Sequence, residues 1–446
     1  MSAQSRIARD VSIAAFGMLA MVVMVTMSAS PAHAENGVDV TYYKDVLPII
    51  QENCQSCHRP AALNISGLVA PMSFMTFEET RPWARAIARK VETREMPPWF
   101  ASAPKGVFEN ERGLADHEID TILSWVDAGA PGGSYTDAPP APVFAEETND
   151  GWSHGTPDFV IRMNEPFVIP DDAYDINKAF HVQLTEDLLP QNVWVRGWEL
   201  RTGTAGSGVH HMCLFERPED GSFVPSGATA SEAAVPLSGL LSCVAEGAES
   251  GMLPDGYGFE LKTGSTLEFN MHFNKEPGPG TSFETQAEVG FFVENRPVKY
   301  KVVNDSLMNN GFEIPPNHPH YRIGAGRTLK KDTLVINYWP HAHFRATAAR
   351  YTAYYPDGRE ELLLDVPNYD QSWQVVYKYK EPKLLPKGTR IEADFWYDNT
   401  AERGIQRGFN PDRGVGFGQR TNDEMSLGFI SYAEVEDSST TSNQQD

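Results

Sequence analysis

The chain has 446 residues, a formal net charge of −23 and a pI near 4.9, with 22% charged and 41% hydrophobic residues. So acidic a chain has no electrostatic attraction for nucleic acid or anionic lipid, which excludes partners bound that way. Its length implies roughly two to four domains.

Arg6 and Arg9 precede an apolar run from about Val11 to Met27, and Ser30-Pro31-Ala32-His33-Ala34 follows. This is the charged, apolar, A-x-A order of a secretory signal, so residues 1–34 are expected to direct export to the periplasm and to be cleaved after Ala34. The run is short for a spanning helix, and membrane contact is expected only if this segment stays uncleaved as an anchor. Cleavage removes two Arg and one Asp, which leaves the mature chain one unit more negative.

Cys54-Gln55-Ser56-Cys57-His58 is a C-x-x-C-H motif, the attachment site of a c-type haem. Two thiols add across the vinyl groups and the next imidazole becomes an iron ligand. One covalent haem c held by Cys54, Cys57 and His58 is expected. Helical periodicity surrounds the motif. Val46, Leu47, Ile49 and Ile50 form a stripe leading into it, Trp83–Val91 carries Ala84, Ile87 and Val91 on one face, and His117–Ala128 carries Ile119, Ile122, Leu123 and Trp125. Asp116 is the expected N-cap of the last helix. Three helices around one C-x-x-C-H resemble a small class I cytochrome c, which assigns residues 35–130 to an all-α domain. A low-spin haem takes a sixth ligand, commonly a Met thioether. Met72, Met75 and Met96 follow the motif, and Met96 in Arg94-Glu95-Met96-Pro97-Pro98-Trp99 sits in a Pro-pinned loop, so Met96 is the expected ligand.

Residues 131–152 begin PGGSYTDAPPAPVFAEET and read as a Pro/Gly-rich linker, a stiff tether. From about Gly151 short β-rich runs alternate with turns: Phe159–Ile161, Val193–Val195, Leu267–Phe269, Leu334–Ile336, Tyr351–Tyr355 and Ile391–Tyr397. That pattern favours antiparallel sandwiches or jelly rolls, in number two, over 153–298 and 299–436, with the boundary near Arg296–Val303. Residues 437–446 have no apolar content and are expected to be disordered. The expected fold class is therefore multidomain, an all-α cytochrome c domain followed by two all-β jelly-roll or sandwich domains.

Of the four cysteines, Cys213 and Cys243 remain after haem attachment. An intramolecular disulfide, worth roughly 3–4 kcal/mol, is the default in an exported protein; a thiolate copper ligand is the alternative. Five histidines stand out in the β region. His341 and His343 form an H-x-H, and residues two apart on a strand share a face, so the two can converge on one metal. His210 and His211 are adjacent and would need a bulge or strand end to do so. His272 stands alone on an apparent strand. A competing H-x-H, His318-Pro319-His320, follows Pro315-Pro316-Asn317, where strand geometry is not expected. Imidazole suits copper, iron or zinc, and thioether favours Cu(I).

The order His210-His211-Met212, then His272, then His341-Ala342-His343-Phe344, then Asp423-Glu424-Met425 resembles the copper type II, ascorbate-dependent monooxygenases, which include the peptidylglycine α-hydroxylating and dopamine β-monooxygenases. The resemblance extends over about residues 155–435, through Val195-Arg196-Gly197, Gly264–Leu267, Gly388–Thr400 and Ile430-Ser431-Tyr432. It implies two mononuclear copper sites on two jelly rolls facing a solvent-filled cleft. His210, His211 and His272 would hold the electron-transfer copper, and His341, His343 and Met425 the oxygen-activating one. The family also carries disulfides near its first site, in keeping with Cys213–Cys243. The implied reaction hydroxylates an activated C–H bond with O2 and two electrons. Here the fused haem is expected to relay those electrons from an external one-electron donor, a basic redox protein or a small reductant.

The peptide-amidating branch anchors a carboxylate with polar side chains at positions occupied here by Trp339, Leu427 and Phe429. A small, apolar or aromatic organic substrate is expected instead, unless these residues are simply core. The alternatives are a periplasmic haem/copper electron-transfer or copper-binding protein without oxygenase activity, a cytochrome-fused copper nitrite reductase, for which Cys213 and Cys243 lack the type 1 spacing, and a carbohydrate-binding sandwich.

Overall fold

The computed structural model describes residues 40–60, 70–144, 151–203, 208–217, 239–245 and 251–435. The expected signal segment, the 437–446 tail and the last part of the linker's Pro/Gly-rich stretch lie outside the described residues. Of those described, 39% are in strands and 14% in helices.

The helical segment corrects the expected fold class: no all-α cytochrome domain is present. A π-turn at Tyr42–Val46 runs into helix Leu47–Asn53, and helices Phe77–Thr80, Ala84–Glu92 and Asp116–Asp127 follow. Their apolar stripes meet in a small core of Tyr42, Ile50, Phe74, Val91, Ile122 and Trp125. Asp116 is the first helical residue rather than the cap, and the Glu118 carboxylate accepts the Ala115 N–H. The physical reason for the correction lies in residues 99–110. This stretch holds Trp99, Pro104, Gly106 and Phe108 with no helical period, so it cannot join the helical core. It crosses instead to the distal β region. Ser102 N–H donates to Asp365 O, Glu109 N–H to Lys378 O, and Lys380 N–H to Val107 O. Trp99 and Phe108 bury against Tyr377 and Tyr379. The helices are thus an appendage bound to a mostly β body, and residues 40–446 cluster as one unit. The start of the expected linker also packs. The Pro131 carbonyl accepts from Tyr42 N–H and Trp125 Nε1–H, and Tyr135 meets Tyr43 edge to face.

The β body is two sandwiches. In the first, a sheet ordered Asp175–Gln183, Thr266–Asn274, Val209–Arg217, Leu240–Ala245 packs on strands Phe159–Arg162, Glu288–Val293, Val193–Arg201 and Tyr257–Leu261. In the second, Tyr300–Met308, Leu427–Glu434, Thr333–His341 and Tyr377–Leu385 pack on Tyr321–Thr328, Arg390–Tyr397, Ala346–Tyr354 and Glu360–Val366. Parallel pairing of Tyr257 with Tyr300 and of Gly258 with Lys301 joins one sheet of each into a continuous sheet.

Strand alternation positions the site. In Thr266–Asn274, Phe269, Met271 and Phe273 face the first core. Glu268, Asn270 and His272 face away, yet they too are buried. Likewise Tyr338 faces the second core, while Trp339 belongs to a separate cluster with Leu427, Phe429, Phe215 and Cys243. The outer faces of two sheets, one from each sandwich, therefore cover one another. Among the described residues no helix is long and apolar enough to cross a membrane.

Candidate metal centre

Three imidazoles of the first sandwich meet on this covered face. His211 is the direct cross-strand partner of His272, and the pairing slips by one residue between Val209 and His211. That bulge turns His210 to the side of His211, which regular alternation would forbid. The His210 Nδ1 stands 3.2 Å from His211 Nδ1 and 3.3 Å from His272 Nδ1. Nitrogens held tetrahedrally at about 2.0–2.1 Å from one ion stand about 3.3–3.4 Å apart, so the trio has the spacing of a single metal's ligands.

At His272 the outer nitrogen fixes which tautomer points inward. His272 Nε2 donates to Asp175 Oδ1 at 2.6 Å, leaving Nδ1 with its lone pair. This is the carboxylate–histidine arrangement that orients metal ligands. Burial works to raise the Asp175 carboxyl, but the bonds from His272 and Thr421 outweigh it and hold the group below its usual range. The Gln371 side-chain Nε2–H lies 3.1 Å from His210 Nε2 and donates to it. Burial, reinforced by neighbouring rings, pushes His210 down to about 3 and His211 well below the ordinary histidine value. The rings of His210 and His211 are neutral at physiological pH, as metal binding requires.

In the second sandwich His341 is the last residue of its strand and His343 lies in the turn that follows; their ring centroids are 5.5 Å apart. They are 5% and 4% exposed. His341 Nδ1 donates to Gln374 Oε1 at 2.5 Å and His343 Nδ1 to the Asp423 carbonyl at 3.1 Å, so both present Nε2. Burial lowers His341 to about 4 and His343 well below the usual range. Strand Leu427–Glu434 pairs His341 with Leu427, two residues after Met425. Met425 packs against the Trp339 cluster, and its carbonyl accepts the Tyr397 hydroxyl at 2.7 Å. Glu424, fully buried, organises the turn. Its carboxylate accepts from His343 N–H at 3.0 Å and Arg345 N–H at 2.7 Å. Burial raises its carboxyl to about 7 against the opposing effect of Arg345.

The two sets adjoin, because His211 and His341 are 5.8 Å apart between ring centroids. No cleft separates them there. His318 and His320, the competing pair, lie elsewhere; His318 Nδ1 accepts the His320 N–H, and His320 stacks on Trp396.

At the C-x-x-C-H motif, His58 Nδ1 lies 3.1 Å from the Met72 carbonyl and its ring stacks on Phe74 at 4.3 Å. With Nδ1 donating, Nε2 is left for a metal. Burial lowers the His58 value, partly offset by that carbonyl. Burial, with Cys57 beside it, pushes the Cys54 thiol up to about 12. Cys54 and Met72 pack on the small helical core, and Val91, Leu114 and Ile119 of that core line a cavity of about 350 Å³ with Met96 and Trp99. Met75 is partly buried in the turn before Phe77. Cys54, Cys57 and His58 are the residues that would hold a covalent haem, and none of them lines that cavity.

Cys213 and Cys243 are cross-strand neighbours joined in a disulfide, which leaves no thiolate for copper. Trp339, Leu427 and Phe429 are buried, with Trp339 stacked on Phe429 at 4.7 Å and 5.6 Å from His341. Trp339 and Phe429 also line a cavity of about 420 Å³ with Trp198, Met252, Asn337 and Lys378, a size that suits a small organic molecule. Sequence reasoning missed Asp175, Gln371, Gln374 and Thr421, and gave Glu424 no role of its own. The pair of glutamines three apart in a Trp-containing loop, and an acidic residue leading into the apolar strand from Leu427, were the available signals.

No known family profile and no curated protein matches the sequence. Among solved structures, similarity is found to the top component of cowpea mosaic virus (7% identity, TM-score 0.29, 63% of this chain and 91% of that one). The major capsid protein P2 of bacteriophage PM2 gives 11% identity and a TM-score of 0.23 over 63% and 98% of the two chains. Infectious bursal disease virus, Gx strain, gives 8% and 0.18 over 61% and 70%. Likeness at these scores carries no argument about function.

Proposed function

We propose that this is an exported copper-dependent monooxygenase that hydroxylates an activated C–H bond of a small apolar or aromatic molecule, with single electrons supplied through a covalently attached haem. The observation that carries the reading is the gathering of five imidazoles from distant parts of the chain, three buried and two half-buried, with His210 Nδ1 at 3.2–3.3 Å from the Nδ1 atoms of His211 and His272. His210, His211 and His272 would hold one copper; His341, His343 and Met425 would hold the other. Copper bound there supplies one-electron chemistry toward O2. The net reaction consumes O2, two electrons and two protons and yields the alcohol and water. Asp175 and Gln374 keep the outer nitrogens of His272 and His341 protonated and so aim the inner ones, while Gln371 steadies the His210 ring. Glu424 holds the turn that carries His343. Trp339, whose ring is 5.6 Å from that of His341, and Phe429 give the cavity an aromatic wall opposite polar residues such as Asn337 and Lys378, which suits a small aromatic substrate. His58, oriented by Met72, would ligate the haem iron, with Met96 as the sixth ligand. An external donor, a small reductant or a basic redox protein suited to the acidic chain, would reduce the haem.

The test is copper-loaded full-length protein, given reductant, candidate substrates and ¹⁸O2. One labelled oxygen in product, together with reoxidation of the reduced haem, is the expected result. The second reading, an electron-transfer protein without oxygenase activity, is favoured by the near-complete burial of His341 and His343. Bound copper with haem reoxidation but no label in any product would establish it.

A further inference from the structure

We infer that the two ligand sets are halves of one dinuclear copper centre built across the seam between the sandwiches, rather than two isolated mononuclear sites. The inference rests on the copper reading above.

Ring spacing is the first ground. Within the first set the centroids stand 4.8–5.3 Å apart, and within the second 5.5 Å. Between the sets, His211 and His341 stand at 5.8 Å. The step from one sandwich to the other is thus scarcely longer than the steps inside each site, and the five rings form an unbroken row.

The second ground is shared support. One short loop serves both halves, with Gln371 at His210 Nε2 and Gln374 at His341 Nδ1. Gln374 Nε2 also donates to the Gln371 carbonyl at 3.3 Å, so the two glutamines are tied together. On the other side Asp175, which accepts from His272 of the first set, also accepts the Thr421 hydroxyl at 3.3 Å, and Thr421 lies in the segment leading to Glu424 and Met425. Both outer shells therefore bridge the seam. Separating the halves would break these bonds and expose the apolar cluster of Phe215, Cys243, Trp339, Leu427 and Phe429.

The experiment titrates full-length protein with Cu(II) alone and reads copper stoichiometry, copper-edge X-ray absorption, which is blind to the haem iron, and electron paramagnetic resonance. The expected result is two copper ions per chain, a copper–copper scattering shell and a half-field transition that appears only as the second equivalent binds. His272→Ala should then bind one ion and lose both the shell and the half-field signal. Two ions per chain that give the sum of two isolated Cu(II) spectra, with no copper–copper shell, would overturn the dinuclear centre and leave the copper reading intact. Fewer than two ions bound by the unaltered protein would overturn the copper reading itself.

Discussion

The two halves of the centre are held by different means. The first trio is fixed by backbone. His211 and His272 sit opposite each other in a ladder, a bulge brings in His210, and a disulfide ties the next strand two residues further along. The second pair is fixed by side chains. His341 ends its strand, and His343 depends on Glu424, Gln374 and the Asp423 carbonyl. A ladder-held site should survive loss of a neighbouring side chain. A side-chain-held site should fail with one buried carboxylate.

Glu424→Ala gives the largest expected effect. It strands the N–H groups of His343 and Arg345 in a buried setting, at about 1–3 kcal/mol each, and leaves a cavity besides, so about 5 kcal/mol should be lost in urea unfolding. The folded fraction should keep copper at the first site and lose it at the second. Equal loss at both sites would remove the contrast. Replacing Cys213 and Cys243 by Ser should come next. Opening a bridge that spans 30 residues costs about 3–4 kcal/mol in the loop-entropy account. The trio should nevertheless still bind one copper, because the ladder sets its geometry; loss of that copper from folded protein would show the disulfide to be the true support.

Local signals in the sequence marked much of this. The C-x-x-C-H motif is a contiguous chemistry, and alternation in runs such as Val193–Val195 and Ile391–Tyr397 falls where strands are found. The need for a bulge at His210–His211 followed from side-chain direction alone. What could not be read was tertiary. Three apolar stripes look the same whether their helices form an independent domain or an appendage, and residues 99–110 decide that only by burying Trp99 and Phe108 against Tyr377 and Tyr379. Asp175, Gln371 and Gln374 lie up to 199 positions apart in sequence and have no periodic pattern, so nothing local announces that they share a site. The closeness of His211 to His341 depends on how two outer sheet faces cover each other, which strand periodicity does not encode.

Gln374→Ala sharpens the comparison at smaller amplitude. Loss of a hydrogen-bond partner behind a ligand typically weakens metal binding about 10–100-fold, and the second site should show that drop in a Cu(II) competition titration. Gln371→Ala should cost the first site less, since His210 there converges with two ladder-fixed rings. A reversed order would mean that the loop, not the ladder, organises the trio.

Acid titration of the metal-free protein separates the halves by range, and the difference between the two rings, about 1.4 kcal/mol, is the smallest effect. His210 is held down to about 3 and His341 to about 4, whereas an unfolded histidine titrates near 6.5. Below pH 6.5 the unfolded chain therefore binds protons that the native rings refuse. By linkage, stability is level above that pH and falls as pH drops, by up to about 1.4 kcal/mol per unit for each ring. The fall from each ring ends when the native ring itself protonates. His341→Gln should flatten the unfolding-midpoint profile only between about 6.5 and 4, while His210→Gln should flatten it down to about 3. The difference between the two variants isolates these rings from the carboxylates, which titrate identically in both. If the variants gave superimposable profiles at pH 3–4, the extra lowering that His272 and His341 impose on His210, and the bond by which Gln374 holds His341 up, would be wrong.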